Sequence, residues 1–283
     1  MTKIVTCIDG SNVANAVCDA GIWASQRTGA ELKFLHVLDK GEQNALANLS
    51  GNIIPEGRRK LLRELVGLEE QYNKLALEDG KHMLEDARTQ ASQQGIEQVS
   101  TLQRHGNLAE TLSDMNDETR MLVLGHHGES HDGKRISIGG QIESVVRTSR
   151  NPILITPEKF VAPSRFMIAY DGRDVTEKVI NGLVKSPLLK DLACHIVSVE
   201  NNSIDRQPAL SAAAAKLTEA GFGVTAQVIK GNVQSALRLY GKENRIELLV
   251  MGAYGHSRLH QLFVGSHTTN MISRSDIPVL IAK

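Results

Sequence analysis

The sequence predicts an α/β protein built from two doubly wound, parallel-sheet domains that pack as an internal pseudo-dimer. The first observation is length, because 283 residues approach the upper limit for a single hydrophobic core. The second is that strand-like apolar runs alternate with helical stretches, a pattern typical of parallel sheets covered by helices. The third is that five elements recur in the same order in both halves of the chain.

The recurring elements indicate a duplication. Each half begins with a short apolar run that Asp-Gly stops, at Asp9-Gly10 and at Asp171-Gly172. A first crossover helix is predicted after each run, over residues 14–26 and 174–184. The later elements are a second strand, a Gly-Asn step before a helix, a strand ending on glycine and a proline-led last strand: Leu32–Leu38 and Cys194–Val199, Gly106-Asn107 and Gly231-Asn232, Met121–Gly125 and Leu248–Gly252, Asn151–Ile155 and Ile277–Ile281.

The linker Pro157–Pro163 divides the chain into predicted domains 1–157 and 163–283. Equivalent residues of the two copies lie farther apart in the chain at the first aspartates than at the later glycines. The first domain therefore contains extra residues between these points, mostly within residues 40–90. Its apolar residues recur at three- or four-residue steps, which predicts one bent amphipathic helix or two shorter ones. Packing on the sheet or on the other copy is the simpler interpretation, and a partner-docking helix is the alternative. The residues are Leu61, Leu65, Leu68, Tyr72, Leu75, Met83, Ala87 and Ala91, interrupted by Gly67 and Gly80.

The two last strands, Ile153–Ile155 and Val279–Ile281, are predicted to join the copies. Each is apolar throughout and would be an unprotected sheet edge in a lone domain, a liability that antiparallel pairing removes. A further association of whole chains into a homodimer stays open.

A glycine-rich loop follows the fourth strand of the second copy. Gly252-Ala-Tyr-Gly255 is followed by nine residues and then by Gly265-Ser266, which begins a helix. Glycines let the backbone approach a ligand closely, and free amide hydrogens at a helix start favour an anion. The loop therefore predicts a site for a phosphate chain.

With this loop, both halves resemble the universal stress protein family, whose nucleotide-binding members carry Gly-x2-Gly-x9-Gly-Ser or Thr before the last strand. The resemblance covers nearly the whole chain as a tandem member. It implies a cytosolic stress-response protein that binds ATP or a related adenine nucleotide, with or without Mg²⁺, mainly in the C-terminal domain. It also implies a protein without efficient catalysis, since the sequence shows no base for water. A nucleotide-free structural or partner-binding protein is the alternative, as is a slow ATPase.

The same resemblance implies roles for individual residues of the second copy. Asp171 would contact adenine or ribose, Val199 would line the base pocket, and the remaining residues would border the nucleotide or hold ribose and phosphates. The full set is Ala169, Tyr170, Asp171, Val199, Met251, Gly252, Gly255, Gly265, Ser266, His267 and Thr268. Arg173 stands where the family often has Ser or Thr, so it would either pair with phosphate or crowd the mouth of the pocket.

The first copy carries a degenerate version of this loop. Ten residues separate Gly128 from Gly139, one more than in the second copy, and Gly140 replaces the hydroxyl residue. The lengthened loop and the lost donor predict a weaker site or none. The equivalent residues are Asp9, Val37, Leu124, Gly125, Gly128, Gly139 and Gly140.

Two further motifs are interpreted as surface loop. Gly128–Arg135 nearly matches a phosphate-binding Walker A loop, but Arg135 replaces the magnesium-binding Ser or Thr. His126, His127 and His131 lack the spacing of a zinc site, so no metal site is predicted.

The amino-acid composition argues against nucleic-acid and membrane partners. Lys plus Arg and Asp plus Glu both total 32, so the chain lacks the positive excess expected of a nucleic-acid binder. No apolar run is long enough to span a membrane. The three cysteines lack metal-type spacing and predict reduced thiols in the cytoplasm.

Overall fold

The computed structural model describes residues 2–38, 56–126, 140–200, 206–252, 271–272 and 275–283. Within them the first half contains β1 (Lys3–Cys7), α1 (Ala14–Thr28), β2 (Leu32–Leu38), α2 (Glu56–Gln93), β3 (Val99–His105), α3 (Leu108–Asp114), β4 (Thr119–Gly125), α4 (Gly140–Thr148) and β5 (Ile153–Thr156). The second half contains β6 (Arg165–Ala169), α5 (Asp174–Lys185), β7 (Ala193–Glu200), α6 (Gln207–Glu219), β8 (Val224–Lys230), α7 (Val233–Glu243), β9 (Leu248–Gly252) and β10 (Val279–Ala282).

The strands form one continuous sheet rather than two separate ones. Their order is β3-β2-β1-β4-β5-β10-β9-β6-β7-β8, and the described neighbours are parallel except at the centre. There β5 and β10 pair antiparallel, with Leu280 opposite Leu154. The predicted joining of the copies through their last strands is therefore confirmed.

The duplication is visible in local geometry as well. Gly106 and Gly231 both have a backbone φ of 131°, a conformation that glycine adopts readily. The next residue in each copy caps a helix, because the Asn107 and Asn232 side-chain oxygens accept hydrogen bonds from the second and third backbone amides of α3 and α7.

Two apolar layers cover the sheet. One layer holds buried residues of α1, α2, α5 and α6, and the other holds those of α3, α4 and α7. Neighbouring strand residues alternate between them: Phe166 and Ile168 lie in the first layer, Met167 in the second. We call these the α1 layer and the α3 layer.

The described part of the insertion forms a single helix, α2, and the second half of this helix packs in the α1 layer through Leu84, Ala87 and Ala91. Gly80 permits this packing, because a Cβ there would lie 2.4 Å from His36 Nδ1. The Gln103 side chain donates a hydrogen bond to the Leu77 carbonyl oxygen, at 3.3 Å. Helix α2 is therefore seated on β2 and β3.

Side chains also tie the two halves together outside the sheet. The Arg27 Nε–H at the end of α1 donates to the Leu188 carbonyl oxygen, at 3.0 Å. Trp23 packs against Phe160 of the linker, with ring centroids 5.6 Å apart. The Lys283 ammonium donates to the Val146 carbonyl oxygen of α4.

Candidate nucleotide site

The strand order reverses once within each half of the sheet, between β1 and β4 and between β6 and β9. In the second half the chain leaves β6 for β7 on one side and later returns to β9 on the other. Ligands of doubly wound sheets bind where the order reverses in this way. Asp171 follows β6 and Gly252 ends β9, so both lie at the β6–β9 switch point. Asp9 and Gly125 occupy the corresponding places beside β1 and β4.

Three of the predicted residues form an apolar surface beside this switch point. Ala169, Val199 and Met251 lie at the carboxyl ends of the neighbouring strands β6, β7 and β9. All three belong to the α3 layer, where Val199 is buried and the other two are half-buried. Partly open aliphatic and thioether groups suit the flat face of a base.

Tyr170 lies on the other side of the sheet. Its ring is buried in the α1 layer, and its hydroxyl donates a hydrogen bond to Glu177 Oε1, at 2.6 Å. Burial, followed by this hydrogen bond, raises the pKa of Tyr170 above its usual range. The side chain therefore serves the packing of α5, and its backbone alone borders the candidate site.

Packing alone requires a glycine at position 252. A Cβ at this position would lie 2.6 Å from Val175 Cγ1, because the first turn of α5 passes over the end of β9. The structure thus gives a reason for the first glycine of the motif that the sequence did not suggest.

The Asp171 carboxylate is held by its own loop. Its Oδ1 accepts a hydrogen bond from the Arg173 backbone N–H at 3.1 Å and lies 3.0 Å from the Thr176 hydroxyl. Its Oδ2 lies 3.5 Å from Arg173 Nε, and the side chain of Asp171 remains 42% exposed. Arg173 therefore pairs with the acid that the resemblance assigns to the ligand.

The same turn recurs in the first copy with a serine in place of this arginine. Asp9 Oδ1 accepts hydrogen bonds from both the backbone N–H and the hydroxyl of Ser11. The turn is thus common to both copies, and the added positive charge is particular to the second.

A second arginine reaches the same edge and was missed by the sequence reasoning. The Arg206 guanidinium donates a hydrogen bond to the Asp171 carbonyl oxygen. Arg206 precedes α6 by one residue, and nothing in the local sequence distinguishes it from an ordinary helix-start arginine. Thr176 had a weak sequence signal, because it is the third residue of the predicted helix 174–184, a position that often takes part in capping.

In the first copy, Val37 and Leu124 lie in the α3 layer near the ends of β2 and β4. Cys7 ends β1 as Ala169 ends β6, and burial raises the pKa of its thiol. All three cysteines are free thiols.

Gly140 is the first residue of α4.

The remaining predicted residues lie outside the described residues: Gly255, Gly265, Ser266, His267, Thr268, Gly128 and Gly139. The Walker-like stretch Gly128–Arg135 and His127 and His131 lie there too. Among the residues that are described, no cluster of three or more His, Cys, Asp or Glu is placed to hold a metal. No described helix is both long and apolar enough to cross a membrane.

The duplicated strand order therefore defines a tandem, doubly wound α/β protein with one switch point in each copy. Residues 1–157 and 164–283 each match the model of the universal stress protein family, and the chain belongs to that family.

Known relatives match the chain over nearly its full length. Universal stress protein Slr1230 of Synechocystis sp. is 34% identical over 284 residues, covering 99% of each chain. A universal stress protein structure from Archaeoglobus fulgidus DSM 4304 has a TM-score of 0.68 at 17% identity and covers 99% of this chain and 96% of its own. A putative universal stress protein from Pseudomonas aeruginosa UCBPP-PA14 has a TM-score of 0.65 at 14% identity, covering 100% and 93%. The two structures show the shared fold.

Proposed function

We propose that this protein is a stress-response protein that binds ATP or a related adenine nucleotide, mainly at the β6–β9 edge of its C-terminal half. The observation that carries the proposal is the position of the described candidate residues. Ala169, Val199 and Met251 lie at the carboxyl ends of three neighbouring strands, and Asp171 follows β6, all at the sheet edge beside the β6–β9 switch point. Membership of the family supports the same conclusion.

Each part of the nucleotide has a partner of suitable chemistry. The adenine would lie on the apolar surface of Ala169, Val199 and Met251, and the ribose hydroxyls would donate to Asp171. The phosphates would take backbone amides of the glycine loop together with the Ser266 and Thr268 hydroxyls, as the sequence spacing implies.

The charge at this edge also suits a polyphosphate. Arg173 and Arg206 both contact Asp171, one through the carboxylate and one through the backbone carbonyl. A guanidinium that exchanges a neighbouring carboxylate for phosphate gains a charge-assisted, bidentate partner. Arg173, at 54% exposed, is free to turn outward with little loss of packing.

The described acid on the first turn of α5 is poorly suited to activate water. Glu177 accepts hydrogen bonds from the Lys216 ammonium at 2.7 Å and from the Tyr170 hydroxyl at 2.6 Å. These hydrogen bonds hold the pKa of Glu177 below its ordinary value, and the one from Lys216 has the largest effect. A carboxylate stabilised in this way is a weak base, so activation of water by Glu177 would be slow.

The pairing of Asp171 with Arg173 and Thr176 favours the second candidate function, a partner-binding protein without nucleotide. In that case the acid would serve only to fix the start of α5. The test is the nucleotide content of the protein purified under native conditions, read by chromatography after acid denaturation. We expect adenine nucleotide at up to one equivalent per chain. Absence of nucleotide, together with no heat of binding on ATP titration, would favour the second candidate.

A further inference from the structure

Helix α2 rests on two polar side chains of the strands beneath it. His36 of β2 and Gln103 of β3 lie opposite each other in the parallel ladder. A Cβ at Gly80 would lie 2.4 Å from His36 Nδ1 and 2.3 Å from Gln103 Nε2. The backbone of the helix therefore covers both side chains directly, and His36 is only 6% exposed.

The hydrogen bonds of Gln103 fix which nitrogen of His36 carries a proton. Gln103 Nε2 lies 3.3 Å from the Leu77 carbonyl oxygen of α2 and 3.3 Å from His36 Nδ1. Because a carbonyl oxygen can only accept, the NH₂ group of the amide must face Leu77. That group can only donate, so Nδ1 accepts its second hydrogen and carries no proton itself. His36 is therefore neutral in this arrangement, with its proton on Nε2.

Protonation of His36 would disrupt this arrangement. A protonated Nδ1 is a donor and would oppose the donor group of Gln103. If the amide turned over to accept from the ring, its oxygen would face the Leu77 carbonyl oxygen, and the hydrogen bond to α2 would be lost. The ring and the helix therefore compete for one amide: either the buried charge lacks an acceptor or α2 loses its hydrogen bond to β3.

Burial and charge act on the His36 ring in opposite directions. Burial has the largest effect and holds the pKa of His36 below its ordinary value. The opposing charged groups among the described residues are Asp9, which follows β1, and Asp79 of α2, and both favour the protonated ring. Gln103, which faces the ring from β3, carries no charge. The packed helix therefore favours the neutral ring.

The second copy lacks this polar pair at the equivalent positions. In the register of the sheet, Ser198 of β7 takes the place of His36, and Val228 opposite it takes the place of Gln103. There the shorter helix α6 packs in the α1 layer, and Val228 packs against the same layer. The histidine and the glutamine therefore accompany the long helix α2, and the duplicated fold alone does not require them.

We propose that His36 and Gln103 form a pH-sensitive switch that holds helix α2 on the sheet at neutral pH and releases it in acid. In a released state, His36 would be exposed to water and would titrate near its ordinary pKa of about 6.5. Below that pH the released state binds more protons than the packed state does. The stability of the packed helix relative to the released one should therefore fall as the pH falls.

Histidine NMR of the full-length chain tests the position of the proton. At pH 7 the ¹⁵N shifts of His36 should show a neutral ring that is protonated on Nε2, and its pKa should lie below about 6.5. Gln103→Glu replaces the donor with an acceptor, so it should raise the pKa of His36 above about 6.5. Passive packing of the ring alone does not predict this reversal of direction.

Amide hydrogen exchange tests the release of α2. Between about pH 7 and about pH 5.5, the protection of residues 77–91, corrected for the intrinsic rate of exchange, should fall several-fold. Protection of α6 in the second copy should stay within about twofold. His36→Asn keeps an acceptor near the position of Nδ1 but does not titrate in this range, so it should abolish the fall. His82→Asn, at an exposed position of α2, is the matched control and should respond as the wild type does.

Several results would overturn the proposal. One is a wild-type His36 that carries its proton on Nδ1 at pH 7, or that titrates at about pH 6.5 or above. Another is protection of residues 77–91 that does not fall in acid, or that falls equally in α6, as expected if His36 titrates only when the whole chain unfolds. A third is an undiminished fall in His36→Asn. If that variant does not fold, the titrations of the wild type and of Gln103→Glu still decide.

Discussion

Leu154 of β5 and Leu280 of β10 lie opposite each other in the antiparallel ladder that joins the two halves of the chain. Both side chains are almost fully buried, although each comes from the end strand of its own copy. A lone copy would expose this edge, so the duplication closes it within one polypeptide.

Replacing Leu280 with lysine should destabilise the protein by about 4 kcal/mol or more, because a charge would be buried without a partner. The measurement is urea denaturation of the full chain. Val161→Lys, at a linker residue that is 79% exposed, is the control and should change little. Similar small losses in both variants would contradict the pairing.

The same ladder can be tested by dividing the chain within the linker residues 158–162. Mixed halves should form a one-to-one complex by light scattering, and Leu154→Lys should prevent it. Halves that remain stable monomers at micromolar concentration would contradict the strand-paired arrangement.

Gly252 and Val175 should be energetically coupled. Gly252→Ala places a methyl group 2.6 Å from Val175 Cγ1 and is expected to cost about 1–3 kcal/mol of the free energy of unfolding. Val175→Ala removes that methyl, so the double variant should be more stable than the sum of the single losses predicts. Strict additivity in the double-mutant cycle would show that α5 does not pack over β9 as described.

Two buried thiols should make stability depend on alkaline pH. Burial raises the pKa of Cys18 and of Cys194 to about 12, from 9.0 for an exposed thiol. Above pH 9 the unfolded chain loses these protons first, so the free energy of unfolding should fall as the pH rises toward 12. Each thiol contributes about 1 kcal/mol per pH unit.

The difference between wild type and Cys18→Ala/Cys194→Ala isolates this contribution from other titrating groups. The variant is expected to be less stable at pH 7, because its core loses two sulfur atoms, but to show a flatter decline above pH 9. Parallel pH profiles for the two proteins would exclude the thiols as the cause.

Arg173 should act on phosphate rather than on the nucleoside. Arg173→Ser, which recreates the turn of Asp9 and Ser11, should weaken ATP binding several-fold to about tenfold through the loss of one charge-assisted contact. Adenosine affinity should hold or rise, because Asp171 loses a competing partner. Calorimetric titrations with ATP and with adenosine measure the two affinities. Equal weakening of both would contradict a phosphate-binding role for Arg173.

Strand ends and chain duplication were the features that the sequence predicted best. Asp-Gly and terminal glycines mark where apolar runs stop, and parallel strands bring their carboxyl ends to one edge of the sheet. The positions of Asp171 and Gly252 at that edge could therefore be predicted from the sequence. The opposite orientation of Tyr170 could also have been foreseen, because neighbours such as Ala169 and Tyr170 face opposite sides of a strand.

Long-range contacts could not be predicted in the same way. The hydrogen bond from Arg206 to the Asp171 backbone joins residues 35 positions apart, and no sequence pattern marks it. Gly80 reads as a helix breaker, yet it sits within α2 because His36 and Gln103 require a residue without a Cβ. Such tertiary contacts override local propensity.

We expect adenine nucleotide to bind the second copy in preference to the first. Calorimetric titration of nucleotide-free protein with ATP tests it most directly, with Gly265→Val as the site variant and Gly139→Val as its first-copy counterpart. We expect about one site per chain. Gly265→Val should abolish binding, because a branched side chain would fill the phosphate approach, and Gly139→Val should largely retain it. Two equal sites, or binding that survives Gly265→Val, would contradict it.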